Sequence, residues 1–212
     1  MKNLLLVFLF IGSANITYCQ NQIANDRIFR RTFSKTELED LQLLFDFFNQ
    51  TICDSNEVLE DCYQAYFIRL NEAAEDGVMY LHIPFEEQQE VYKKLSDSTF
   101  REIWVFGEAW FQETPDHILR TIYFNANGDF MRFLKKASRK DAFINVCYES
   151  AKLTGMPGAT VVAEIYRNNN TFDIEDVKVK FVIAVMNLTL NDQYKRKEMI
   201  RPDDRSKIKS KE

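Results

Sequence analysis

The sequence predicts an α+β fold: an N-terminal helical hairpin and a third helix packed on a mostly antiparallel sheet, with one helix inserted before a C-terminal β-hairpin. Three observations carry that expectation. Residues 35–75 hold two stretches in which apolar side chains recur every three or four positions. Residues 99–124 and 159–190 hold β-branched and aromatic runs with stretches of period-two alternation. Gly155, Pro157 and Gly158 break the chain between a helical stretch and the last of these runs.

Residues 1–19 read as a secretory signal peptide. Lys2 supplies the basic start, Leu4 to Ile11 (LLLVFLFI) the apolar run, and Thr17 and Cys19 the cleavage positions, with Gln20 as the new first residue. The run is far shorter than the roughly 20 residues that span a bilayer. Lipidation of Cys19 is disfavoured by the bulky Tyr18 before it. The expected location is therefore exported, periplasmic or secreted, with lipid anchoring the lesser alternative. A polar lead-in covers residues 20–33, a single α+β domain residues 34–193, and a basic, disordered tail residues 194–212.

Ser34 and Glu37 are spaced as a capping box, so a helix is expected from Lys35 to Ile52, with Leu38, Leu41, Phe45 and Phe48 inward. Asp54, Ser55 and Asn56 form a turn, and a second helix runs from Glu57 to Glu75, ended by Gly77. Pro84 opens a third helix, Phe85 to Leu95, with Val91, Tyr92 and Leu95 buried and Glu86, Glu87 and Glu90 outside. Thr99 to Phe111 (TFREIWVFGEAWF) and Ile118 to Phe124 read as strands. Gly107 marks a bulge or a close backbone approach, and Pro115 and Asp116 punctuate. After a turn at Asn127-Gly128, Phe130 to Leu134 fits either the return strand of a hairpin or a helix capped by Asp129, and one helix or two abutting ones ending near Leu153 is the preferred reading. Ala159 to Tyr166 and Val177 to Leu190 are expected as the closing antiparallel hairpin, the latter as its central strand.

Charge excludes one class of partner. The chain carries 27 Lys and Arg against 32 Asp and Glu, a net of −5. The last 19 residues carry +4 and the signal +1, which leaves −10 on residues 20–193. An acidic body argues against nucleic acid. The basic tail reads as a solvated end, with contact to an anionic envelope surface or acidic partner as the sharper alternative.

Export places cysteines in an oxidising compartment. Cys53 and Cys62, nine apart across a helix–turn–helix, are the favoured disulfide, leaving Cys147 as a buried thiol; Cys147 bonded to either of them is the alternative. No CxxC and no neighbouring histidine support zinc, and no cofactor is expected. His82 and His117 show no spacing that brings them together or to Cys147. The sequons at Asn49, Asn169 and Asn187 are short patterns, and the last falls inside an expected strand.

One constellation suggests chemistry. Glu102, Trp104, Glu108 and Trp110 share a parity, so a regular strand puts carboxylates beside indoles on one face. Glycan-cleaving sites use an acid, a base or nucleophile, and stacking rings. Six residues span about 20 Å on a strand, beyond the roughly 5–10 Å such acids need, so Glu102 and Glu108 cannot serve as a pair unless Gly107 bends the strand. The competing reading is two Trp in a core and two Glu at its rim. The sequence thus points to an exported, non-enzymatic protein that binds a protein or glycan partner. The alternative is a glycan- or peptidoglycan-acting hydrolase using a Glu on the strand 99–111.

Overall fold

The computed structural model describes residues 22–54, 57–75, 83–111, 114–156 and 158–198. The expected signal segment, Ser55 and Asn56 of the expected turn, Gly77, Met79 to His82, Pro157 and residues 199–212 lie outside them. In chain order the elements are α1 (Gln22–Asn25), α2 (Arg27–Arg30), α3 (Lys35–Ile52), α4 (Leu59–Glu75), α5 (Phe85–Lys94), α6 (Asp97–Ile103), β1 (Trp104–Phe111), β2 (Thr114–Phe124), α7 (Asp129–Ala137), α8 (Ala142–Thr154), α9 (Ala159–Asn168), a 3-10 turn (Asn169–Thr171) and α10 (Val177–Glu198). The fold is α+β in the coarse sense: mostly helical, with one two-stranded antiparallel sheet.

The expected central strand, Val177 to Leu190, is the first 14 of the 22 residues of α10. Its place at the centre is as expected and its conformation is not. Every residue from Val179 to Gln193 is buried. A helix apolar on all sides belongs in a core, and it satisfies its own backbone there without neighbouring strands. Two signals favour the helix. Fourteen residues exceed the usual strand of about 5–6, and Asp176 caps the start, accepting from the Lys178 N–H at 2.8 Å. The β-branched content expressed a weak propensity that tertiary packing overrode.

The same correction applies to Ala159 to Tyr166, which is α9. Among its described side chains Val161 and Ile165, one helical turn apart, are buried. No closing hairpin exists, so the helices do not cover one face of a large sheet. Thr99 to Phe111 is also mixed. Ser96 caps α6 by accepting from the Thr99 N–H at 3.2 Å, so the segment is helical to Ile103 and extended only from Trp104. Pro115 and Asp116 lie within β2 rather than ending it.

The local signals hold. Ser34 and Glu37 form the capping box, with the Ser34 N–H donating to Glu37 Oε2 at 2.7 Å. Pro84 precedes α5, and Val91, Tyr92 and Leu95 are buried. The stretch after Gly128 makes two helices, α7 and α8. Gly155 ends α8 at φ 69°, a left-handed conformation that suits glycine. Residues 22–33 are more than a polar lead-in, because α1, α2 and the turn after them send Ile23, Phe29 and Phe33 into the core.

That core is aromatic. Phe181 of α10 meets Phe29 edge-on at 5.1 Å between ring centres, Phe133 at 6.0 Å and Phe45 at 6.3 Å. Such pairs add about 0.5–1.5 kcal/mol beyond the area they bury. Polar residues of α10 are each tied. Lys180 pairs with Glu60 of α4 at 2.8 Å. Asn191 donates to Gln88 Oε1 at 2.7 Å and to the Ile83 carbonyl at 3.1 Å. Gln193 donates to the Ile122 carbonyl of β2 at 2.8 Å. Among the described residues no helix is long and apolar enough to cross a membrane.

Candidate functional site

The expected Glu–Trp face does not assemble. Glu102 is in the last turn of α6, and only Trp104, Glu108 and Trp110 share a strand. Glu102 accepts from the Asp129 N–H at 2.6 Å and so caps α7. Trp104 has no exposed surface; its Nε1–H donates to Thr189 Oγ1 of α10 at 2.9 Å. An indole without an open face offers a sugar no stacking surface. Glu108 is exposed and stands opposite Arg120 in the strand register. Trp110 and His117 lie on β1 and β2 with side chains outside the described residues, as is all of His82.

Cys53 and Cys62 are disulfide-bonded, with Cα atoms 5.2 Å apart, clamping the end of α3 to the start of α4. Cys147 is free and buried, and burial pushes its thiol pKa well up. The sequon residues Asn49 and Asn187 are buried within α3 and α10. Glu37, Glu102 and Asp129 bring carboxylate oxygens within 4.8 Å of one another. Glu37 accepts from the Ser34 N–H, Glu102 accepts from the Asp129 N–H, and Asp129 is ion-paired with the Arg132 guanidinium. The cluster is where three helix starts and ends converge.

A different surface stands out. Between the end of α5, α6 and the root of β1 lies an open groove of about 560 Å³. Its floor is an aromatic ladder. Tyr92 lies 4.8 Å from Trp104, Trp104 5.3 Å from Phe100, and Phe100 stacks on Phe106 at 5.8 Å. The first members are sealed: Tyr92 accepts from Gln88 Nε2 at 2.7 Å, and burial, with Asp192 nearby, pushes its hydroxyl pKa well up. The last member is open. Phe106 is 44% exposed and its neighbour Val105 41%.

Phe106 is also held between cations. The Arg120 guanidinium lies 4.5 Å from its ring centre and that of Arg196 5.5 Å. Arg196 is neutralised by Asp192, Nε to Oδ1 at 2.5 Å. Arg101 and Arg120, both lining the groove, have no carboxylate partner among the described residues. On the opposite face of the hairpin Gly107 leaves room for Tyr123, since a Cβ there would lie 2.6 Å from the Tyr123 ring. The close approach foreseen at Gly107 is therefore to a cross-strand aromatic, while the bulge falls between Trp110 and Phe111.

Phe106, Arg101 and Arg120 were not singled out by the sequence. Phe106 has the parity of Trp104, yet one is exposed and the other buried, because the hairpin leaves the core between them. Compared with known proteins, the chain matches no family model, no curated protein and no solved structure.

Proposed function

We propose that this is an exported, non-enzymatic protein that binds a macromolecular partner through the groove at the root of β1. One observation carries the reading: an exposed Phe106, stacked from below by Phe100 and covered by an Arg120 guanidinium at 4.5 Å. Aromatic and arginine side chains are the groups that concentrate energy at protein interfaces. Packing from below fixes the ring, so little side-chain entropy remains to be lost on binding. The apolar signal segment and the Cys53–Cys62 disulfide support export.

The test is a comparative capture from the envelope fraction of the source cells. Wild type, Phe106→Ala and Arg120→Glu are immobilised, and bound species are identified and quantified. A stoichiometric species held by wild type and lost by about thirtyfold or more in either variant supports the reading, the size expected of an interface hot spot. The same species on all three, or nothing on any, rejects it. Both variants should melt close to wild type, since neither changes a buried side chain.

A further inference from the structure

We propose that the outer edge of β1 takes up an extended acidic segment of a protein partner as a third strand, with an apolar side chain of that segment seated against Phe106. The inference rests on the groove being a binding site and specifies how it binds.

Backbone phase decides which groups of β1 face outward. In an antiparallel pair, opposite residues alternate between those bonded to each other and those whose N–H and C=O point outward. β2 sets the phase. The Phe124 N–H donates outward to the Gly155 carbonyl at 2.6 Å, and the Ile122 carbonyl accepts outward from Gln193 at 2.8 Å. Their opposites, Trp104 and Phe106, and Glu108 opposite Arg120, therefore also turn their backbone groups outward. The Trp104 N–H is satisfied by the Phe100 carbonyl. The N–H and C=O of Phe106 and Glu108 have no partner outside the strand pair among the described residues. The edge of β2 is thus closed at its root by α8 and α10, whereas no described residue closes that of β1.

Free edges are normally blunted by proline, lysine, bulges or short length. β1 is eight residues long, WVFGEAWF, with Glu108 its single charge and its bulge only at the far end. An edge of that kind is a template for an added strand, which supplies backbone hydrogen bonds while its alternate side chains find pockets.

Charge selects the occupant. Arg120 sets its guanidinium over the exposed ring and Arg101 lines the same groove, against a single lining carboxylate, Asp97, in a body that is acidic at −10 over residues 20–193. Lys93 is already bonded to Glu90 at 2.6 Å. The chain's own residues 194–212 are net basic and mismatched to the groove. An anionic polysaccharide would meet the guanidiniums but leave Val105, Phe106 and the outward amides unmatched. A second copy would bring only Glu108 on its own β1. An acidic, partly apolar peptide answers all three features.

The probe is the hexapeptide Glu-Thr-Phe-Thr-Glu-Thr, blocked at both ends, whose Glu, Phe and Glu share one face of a strand, titrated into the mature protein with ¹⁵N amide shifts as readout. The expected result is shifts and slowed hydrogen exchange at the Phe106 and Glu108 amides. Substituting Lys for Glu in the peptide, or methylating its alternate backbone nitrogens, should weaken binding by roughly tenfold or more. Arg101→Glu with Arg120→Glu should reverse the preference toward the Lys peptide. Three results would overturn the proposal: no shift at Phe106 and Glu108, equal binding of the Glu and Lys peptides, or stronger shifts with polygalacturonate. Protection of the same amides by dimerisation alone would also overturn it, assigning the edge to a second copy. If Phe106→Ala abolishes capture of a partner whose complex leaves those amides unshifted, strand addition fails while the groove reading stands.

Discussion

The helix α10 and the hairpin β1–β2 treat polar groups in opposite ways. α10 is buried from Val179 to Gln193, and its buried lysine, asparagines, aspartate and glutamine are bonded to neighbouring elements or to its own turns. Among the described side chains of the hairpin, the buried ones lie at its root: Trp104, Thr121, Ile122 and Phe124. Two residues on, it exposes Phe106 and turns unmatched backbone groups outward. Buried polar groups must be satisfied within the fold, whereas exposed ones are satisfied by water until something displaces it. The first region specifies the structure and the second leaves valence for a partner.

The largest effects should separate these regions. Phe181→Ala removes the hub of the aromatic core and should cost about 3–5 kcal/mol by urea denaturation. Phe106→Ala should cost about 1 kcal/mol or less, because the ring is already 44% exposed. Comparable losses would make the hairpin part of the core and break the comparison.

The ion pair beneath α10 should be asymmetric. The Lys180 side chain is 3% exposed and that of Glu60 40%. Glu60→Ala strands a buried ammonium and should cost about 3 kcal/mol, whereas Lys180→Met leaves a carboxylate that water can reach and should cost far less. Equal losses would show that Lys180 reaches solvent. The pH dependence has a definite sign. The bonded Lys180 ammonium holds the Glu60 carboxyl below its usual 4.5, against opposing burial. A depressed folded pKa stabilises above the unfolded value, and that contribution is lost as pH falls from 4.5 through the folded pKa. Asp46, raised by burial, acts in the opposite direction near its usual 3.8. Glu60→Gln should therefore flatten the acid limb of a stability–pH curve, and an unchanged limb would contradict the pairing.

Smaller effects sharpen the picture. Reducing Cys53–Cys62 opens a short loop and should cost about 2–3 kcal/mol, with peptide binding at β1 unchanged because the clamp joins only α3 and α4. Cys147 is buried in α8, so it should resist iodoacetamide in the folded protein and react after denaturation. Rapid labelling of the folded chain would place α8 outside the sealed region.

Legibility in the sequence followed the range of the interactions. The Ser34–Glu37 box, Pro84 before α5, the helix Lys35 to Ile52 and the Cys53–Cys62 clamp are local, and all were readable. α10 and α9 were misread as strands because Val, Ile and Thr carry a β preference that packing outweighs. The length of the Val177 to Leu190 run and the Asp176 cap were the signals that pointed the other way. The groove was not readable at all. Phe106, Arg120 and Arg196 meet across 90 residues, and exposure of one Phe among 18 is a tertiary property.

Residue-resolved amide hydrogen exchange tests the contrast between sealed helix and open edge most directly. The amides of Val182 to Leu190 should exchange only through global unfolding. Along β1, Val105 and Gly107 should be protected by bonds to β2, and Phe106 and Glu108 should exchange fast. Protection of Phe106 and Glu108 equal to that of Val105 and Gly107 would show the edge already covered. Protection alternating residue by residue along 179–190 would show a strand where α10 stands. Either result would contradict the account.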